Sequence, residues 1–264
     1  MPDHTQRFTG RAEDYDRFRQ HYPADAVLDR LRNWCGLTPA WRVADIGAGT
    51  GMLAEIFVAN GNPVIAIEPN LDMRHAMHTR LAPTHMREGY LRIIDATAEA
   101  TGLPDASVEL VGVGRALHWF DRKHATDEFR RILVPGGWVA VVALDRRRRS
   151  DDPELNAQLA GFEALLANSG TDYNQVRGGY RTYENMSEWL SGELHQSQIQ
   201  GTRDLDWETF RGHTLSLSTA PRADNPNFSE FESAMRRYFE SYAHNGIVTI
   251  PITTWITAAR LDKS

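Results

Sequence analysis

The strongest chemical signal in this sequence is a run of three glycines, Gly47, Gly49 and Gly51, with one carboxylate, Asp45, just before it and another, Glu68, about 20 residues further on. Glycines directly after a buried strand permit a tight turn and a close approach of backbone to a ligand. The helix that follows offers its N-terminal amides. The spacing is G-x-G-x-G, whereas the dinucleotide fingerprint G-x-G-x-x-G sets its helix start against a pyrophosphate, so a nucleotide-like ligand without one is favoured. Glu68 ends the next strand, where a carboxylate can accept hydrogen bonds from both hydroxyls of a ribose; with no arginine beside it, a 2′-phosphate has no partner. Read alone, Glu68 could equally be a solvated strand-end acid. His118 and Trp119 follow a later strand. A neutral imidazole there can take a proton from an acceptor or only pack beside a bound molecule. The run Arg146 to Arg149 follows the next strand and reads either as a fork for an acidic group or as a solvated basic stretch.

These residues need a scaffold, and hydrophobic periodicity supplies one. Val27, Leu28, Leu31 and Trp34 recur at helical spacing between Ala24 and Gly36. Trp41 to Ile46 reads as a strand, Met52 to Ala59 as a helix, Pro63 to Ile67 as a strand and Asp72 to Leu81 as a helix. Leu91 to Ile94 and Val108 to Val113 follow as strands, then a helix from Lys123 to Leu133 and an apolar strand from Trp138 to Leu144. Strands alternating with helices imply a parallel sheet covered on both faces. After Leu144 the alternation stops. A helix-like stretch from Glu154 to Asn168 precedes a segment rich in Tyr, Trp and Phe, then a helix from Phe228 to Ala243 and a β-branched stretch from Gly246 to Leu261 in which Pro251 marks a bend or an edge.

Asp45-x-Gly47-x-Gly49-x-Gly51 with Glu68 resembles the first two motifs of class I S-adenosylmethionine-dependent methyltransferases. Ala98-Glu99 followed by Leu103-Pro104 resembles the A-E-x-L-P segment of the small-molecule branch, and Val134-Pro135-Gly136-Gly137 the turn before the fifth strand. Tyr15-Asp16-Arg17-Phe18-Arg19 with Tyr22-Pro23, and Ala116-Leu117-His118-Trp119-Phe120-Asp121, are most similar to the trans-aconitate methyltransferase-like group, from which the chain departs where Gln20 stands in place of a common proline. The resemblance implies an α/β, Rossmann-like, seven-stranded and mostly parallel sheet with helices on both faces and a C-terminal cap insertion. It implies S-adenosyl-L-methionine as cofactor, S-adenosyl-L-homocysteine as product and no metal. Tyr15 and Arg19 would lie near the methionine part of the cofactor, the backbone of Gly47, Ala48, Gly49 and Gly51 after Asp45 would hold its amino acid portion, and Glu68 its ribose. Pro69 with Asn70, and the segment from Ala96 through Thr97 and Ala98 to Glu99, would flank the adenine. The acceptor is expected to be a small molecule methylated on oxygen, of a carboxylate or a hydroxyl, with a C- or N-methyltransferase or a non-catalytic binder of the cofactor as alternatives. His118 is expected as base or acceptor-positioning residue, and Trp119, Tyr173, Tyr180 and Trp189 as substrate contacts.

Length and composition are consistent with this. At 264 residues, 41% hydrophobic and 24% charged, the chain can bury a sizeable core. The formal net charge of −6 gives no general attraction to nucleic acid. No stretch approaches the length of a bilayer-spanning helix and the opening residues do not read as a signal peptide, so a cytoplasmic protein with no membrane partner is expected. The single cysteine, Cys35, reads as a small buried hydrophobe. His75 and His78, three apart on one helix, lack partners for a metal. The expected organisation is 1–149 for the N-terminal helices and cofactor-binding core, 150–245 for cap elements with a sixth strand near Gln198 to Arg203, and 246–264 for the last strand and tail. A nicotinamide oxidoreductase is the rival disfavoured by the glycine spacing, and a nucleic acid methyltransferase the one disfavoured by charge.

Overall fold

Every residue of β1 (Val43–Ile46) is buried, as expected of a strand with neighbours on both edges and helices on both faces. It sits inside a seven-stranded sheet of order β3-β2-β1-β4-β5-β7-β6. The other strands are β2 (Val64–Ile67), β3 (Leu91–Ile94), β4 (Val108–Gly114), β5 (Leu133–Asp145), β6 (Leu194–Leu205) and β7 (Val248–Arg260). β1 to β5 pair in parallel, whereas β7 runs antiparallel to both β5 and β6. This computed structural model describes residues 9–10, 12–85, 90–145, 152–173, 176, 183, 186–190 and 192–261.

Alternate residues of each central strand feed opposite faces, because side chains in a strand repeat every two residues. Val43, Leu110 and Ala140 pack with Leu31, Leu53 and Phe57 on one side. Ala44, Val111 and Val139 pack with Leu103, Phe129 and Ile132 on the other. The first face is covered by α2 (Ala24–Cys35), α3 (Met52–Ala59) and α4 (Leu71–His85), the second by α5 (Arg122–Ile132). A third apolar cluster joins α6 (Pro153–Ala167), α7 (Trp207–Leu215) and α8 (Phe228–Tyr242) to Leu205, Val248 and Ile250. Ahead of them all, α1 (Ala12–Phe18) rests against α7 and α4.

Three expectations change in detail. The fifth strand begins at Leu133, because Val108 pairs with Leu133 and Leu110 with Trp138, so the Val134–Gly137 segment is an irregularity within the strand and not a turn ahead of it. Gly137 is required there, since a Cβ would come within 2.9 Å of the Leu133 side chain and 3.1 Å of the Glu109 and Val134 carbonyls. The sixth strand is twice as long as expected. It pairs with β7 from Leu194 to Leu205, and its polar outer residues belong to the exposed edge of the sheet. Pro251 is on an interior strand, but pairing with β5 ends at Thr253, so only β6 flanks it.

Candidate cofactor cleft

The chain order places β2 on one side of β1 and β4 on the other, so connections leave the sheet in opposite directions at this point. In open α/β sheets a crevice forms beyond the carboxyl ends of such strands. The structure has a cleft there of about 790 Å³, counted out to its mouth.

Its floor is the glycine loop. Gly47, Gly49 and Gly51 all adopt positive φ (66°, 57° and 84°), a region costly for residues with a Cβ, but they serve different ends. A Cβ on Gly47 would strike Ala116 Cβ at 2.6 Å, and one on Gly51 would strike the side chains of Met77 at 2.7 Å and Leu81 at 2.9 Å; a Cβ on Gly49 would meet nothing within 4 Å. Gly49 therefore faces open cleft, while Gly51 lets α3 pack on α4 and does not line the space. Ala48 is buried, its amide donating to the Ile67 carbonyl at 3.0 Å.

Glu68 lines the cleft and is 8% exposed. Its Oε2 accepts from the Gly49 amide and its Oε1 from the Asn70 amide, both at 2.9 Å. Burial pushes its pKa up, and the two amides with Arg74 pull against that shift. Asp45 is fully buried below the loop, with no donor in bonding geometry on either carboxylate oxygen. Burial lifts its pKa to about 7; the Ala54 amide offsets part of the rise and the Glu68 charge adds to it. A buried, unsatisfied carboxylate is costly unless a positive group comes to it.

Around these acids the walls are mostly carbon. Tyr15, Pro69, Met73, Thr97 and Ala98 all belong to the lining. Glu99 lines the cleft while its Oε1 accepts from the Asp121 amide at 2.9 Å, joining the segment after β3 to the helix that Asp121 caps. Asn70 is turned away: its Oδ1 caps α4 through the Met73 amide and its Nδ2 donates to Thr9. Beyond β4 the wall is Gly114, Arg115, Ala116, Trp119 and Phe120.

Among the expected acceptor contacts, Trp119 is in the wall. His118 is not: it sits behind Trp119, ring centroids 4.4 Å apart, with its Nδ1 3.1 Å from the Tyr183 hydroxyl. Tyr173 packs against the third apolar cluster, where Trp207 and Phe210 also belong. Tyr180 and Arg146 to Arg149 lie outside the described residues, as does the side chain of Trp189. Arg19 turns from the cleft into a neighbouring cavity, its guanidinium 4.6 Å from the Tyr15 ring centre.

Three lining residues went unnoticed in the sequence: Met73, Gly114 and Arg115. Arg115 lines the cleft at a φ of 55°. Its Nε donates to the Tyr22 hydroxyl at 3.0 Å and its Nη1 to the Gln20 carbonyl at 3.2 Å. Its position one residue past β4 is the signal that could have found it. Met73 had none, since a methionine in a helix reads as core.

Residues 44–141 match the family model for a methyltransferase domain. An uncharacterized methyltransferase of Mycobacterium tuberculosis is 36% identical over 135 residues, 51% of this chain and 51% of that protein, so this chain spans about half the length of the curated relatives it matches. The malonyl-[acyl-carrier protein] O-methyltransferase of Methylococcus capsulatus is 28% identical over 227 residues, 77% of this chain and 76% of that one. Among solved structures, one described as a candidate type II methyltransferase from Anaeromyxobacter dehalogenans superposes with a TM-score of 0.62 at 25% identity, covering 93% of this chain and 100% of that one.

Proposed function

We propose that this protein moves a methyl group from S-adenosylmethionine to an oxygen of a small-molecule acceptor, a reading supported by the match of residues 44–141 to a methyltransferase domain model and by the fold shared with a solved structure described as a methyltransferase. The observation that carries the reading is the pairing, at the β1/β4 crevice, of an open Gly49 face with the carboxylates of Glu68 and Asp45. S-adenosylmethionine fits these residues. It combines a ribose diol, which the Glu68 carboxylate accepts, with an adenine suited to carbon walls such as Pro69, Met73 and Ala98, and with positive charge, which the unsatisfied Asp45 carboxylate offsets from below. Tyr15, also in the lining, would face the amino acid end. When bound, this cofactor supplies a methyl group on a positively charged sulfur.

The chain's own part is to exclude water and align the acceptor, which can lower a barrier by several kcal/mol. Gly114, Arg115, Ala116, Trp119 and Phe120 provide the face from which the acceptor would arrive. With the acceptor oxygen held in line with that methyl group, it would supply the electron pair of the new O–C bond while sulfur would keep the pair of the broken S–C bond. A carboxylate acceptor is ionised at neutral pH and loses no proton. That suits a site in which His118 stands behind the wall, bonded to Tyr183, and serves to hold the Trp119 ring. It also agrees with the name of one relative as an O-methyltransferase.

The test is calorimetric titration with S-adenosylmethionine, S-adenosylhomocysteine and NAD, followed by detection of S-adenosylhomocysteine formed in the presence of carboxylic and phenolic acceptors. Binding of the first two alone, with turnover on an acid, supports the proposal. Preference for NAD, or binding without turnover on any oxygen acceptor while amines or carbon acids are methylated, removes it.

A further inference from the structure

The stretch that walls the cleft beyond β4 has little regular structure of its own. Arg115 sits at a φ of 55°, a single 3-10 turn covers Leu117–Trp119, and Asp121 already caps α5. Two backbone bonds close the turn, from the Trp119 amide to the Ala116 carbonyl at 2.9 Å and from the Phe120 amide to the Leu117 carbonyl at 3.3 Å. So short a turn does not fix where its side chains point; what packs against them does. Among the described residues three anchors hold it. Beneath it, Leu117 is fully buried and Ala116 presses on the glycine loop so closely that a Cβ on Gly47 would come within 2.6 Å. At its far end the Asp121 amide donates to Glu99 Oε1. The third anchor comes from the cap, where the Tyr183 hydroxyl is 3.1 Å from His118 Nδ1.

Tyr183 is itself firmly placed. It is buried in the second apolar cluster together with Met186, Leu190 and Leu117. A phenylalanine would fill the same apolar space, and a buried hydroxyl is costly unless it is bonded, so the bond to His118 gives the hydroxyl its reason. The Tyr183 ring also meets the imidazole edge-on, at 69° with centroids 6.0 Å apart. On its other side the imidazole contacts the Trp119 indole at 4.4 Å. Trp119 lines the cleft, whereas His118 and Tyr183 do not, so the three rings run in sequence from the cap to the wall of the site. A bond at Nδ1 fixes both the tautomer and the plane of an imidazole, and that plane limits the orientations open to a ring packed on it.

We propose that Tyr183 is a positioning residue for the methyl acceptor: through His118 it fixes the plane of the Trp119 indole on the acceptor side of the cleft, while itself touching neither acceptor nor cofactor. The inference rests on the reading of the cleft as a methyl-transfer site and adds to it the residue by which the cap governs the acceptor wall. The cofactor side of the cleft, built from the glycine loop, Glu68 and Pro69, does not depend on this link.

The experiment labels the full chain with 5-fluorotryptophan and follows the fluorine resonance of Trp119, assigned by its loss in Trp119→Phe, in Tyr183→Phe, His118→Ala and the double variant. Melting temperature checks each fold. Tyr183→Phe keeps the ring and its packing and loses only the hydroxyl. The Trp119 resonance should shift or broaden in Tyr183→Phe, while those of Trp34, Trp41 and Trp207 stay in place. The same variants are assayed on whichever of the carboxylic and phenolic acceptors is turned over. Tyr183→Phe should lower kcat/KM for that acceptor about three- to tenfold, the scale of one neutral hydrogen bond, and leave the KM for S-adenosylmethionine within about twofold. In the His118→Ala background the same change should cost nothing further, because the effect passes through that ring. An unmoved Trp119 resonance in Tyr183→Phe overturns the proposal. So does an equal loss for acceptor and cofactor, or a second, additive loss in the His118→Ala background. Absence of turnover with every acceptor refutes the oxygen-transfer reading and takes the acceptor role of Tyr183 with it; a moved resonance then still shows that the cap holds Trp119.

Discussion

Replacing Glu68 by Gln separates the ribose-holding role of this side chain from its structural one. The carboxylate spends one oxygen on the Gly49 amide and the other on the Asn70 amide, both at 2.9 Å, and as an acceptor-only group it keeps lone pairs for a diol. A glutamine of the same shape turns one of those oxygens into an NH2 that faces a backbone N–H. One amide loses its acceptor, and the charge assistance to the diol is gone. Hydrogen bonds to a charged group contribute roughly 1.5–3 kcal/mol, so the Kd for S-adenosylhomocysteine should rise about 10- to 150-fold. Stability should change less. An orphaned buried donor costs about 1–3 kcal/mol, but the variant also removes a carboxylate whose burial already disfavours its charge. The net shift in melting temperature should stay within a few degrees. Calorimetry with S-adenosylhomocysteine on a variant shown to be folded is the assay. A Kd within threefold of wild type would refute the assignment of Glu68 to the ribose.

Asp45, with its pKa lifted to about 7, binds a proton more tightly in the folded than in the unfolded chain. Its contribution to ligand-free stability is therefore full below about pH 4 and is lost as pH rises through 7, a span worth a few kcal/mol at most. Asp45→Asn should melt close to wild type at pH 5 and higher than wild type at pH 8 without cofactor; equal melting at pH 8 counts against the buried charge. Gly51→Ala, at φ 84° and facing Met77 and Leu81 at under 3 Å, should cost about 2–4 kcal/mol of stability by denaturant unfolding. Gly49→Ala, which meets no protein atom, should cost about 1 kcal/mol yet weaken cofactor binding at least tenfold; unaltered binding there would place the ligand elsewhere. Glu128 accepts from the Thr101 amide, the Thr101 hydroxyl and Arg131, and its pKa falls to about 2 because these bonds outweigh the effect of burial. Its stabilising contribution should be present above about pH 4.5 and fade as pH falls towards 2. Glu128→Gln should lower the melting temperature at pH 7 by several degrees and narrow that gap at pH 3; a constant gap would point to packing instead.

Periodicity alone located α3 to the residue and placed β1 to β4 within two residues of their ends. The central strands are buried on both faces and read as continuous apolar runs, and Gly47 to Gly51 and Glu68 sit at strand ends where chain direction alone brings them together. The acid-bearing floor of the cleft was legible for that reason. The cap was not. Aromatic residues such as Trp207 and Phe210 are chemically suited to either a core or a ligand wall, and only the packing of α6, α7 and α8 against one another assigned them to a core. His118 was correctly placed after β4, but the turn it lies in directs Trp119 to the cleft and His118 to Tyr183, a choice that depends on a partner 65 residues away. The cavity beside the cofactor cleft, lined by Arg19 and Arg203 among others, shows the same limit more strongly. Arg19 and Arg203 are 184 positions apart in the sequence, and neither lies in a motif that signals the other. Local spacing determines which backbone groups meet at the end of one strand, whereas contacts between distant elements depend on how β6 pairs with β7 and how α1 docks on α7, and those follow from the whole core.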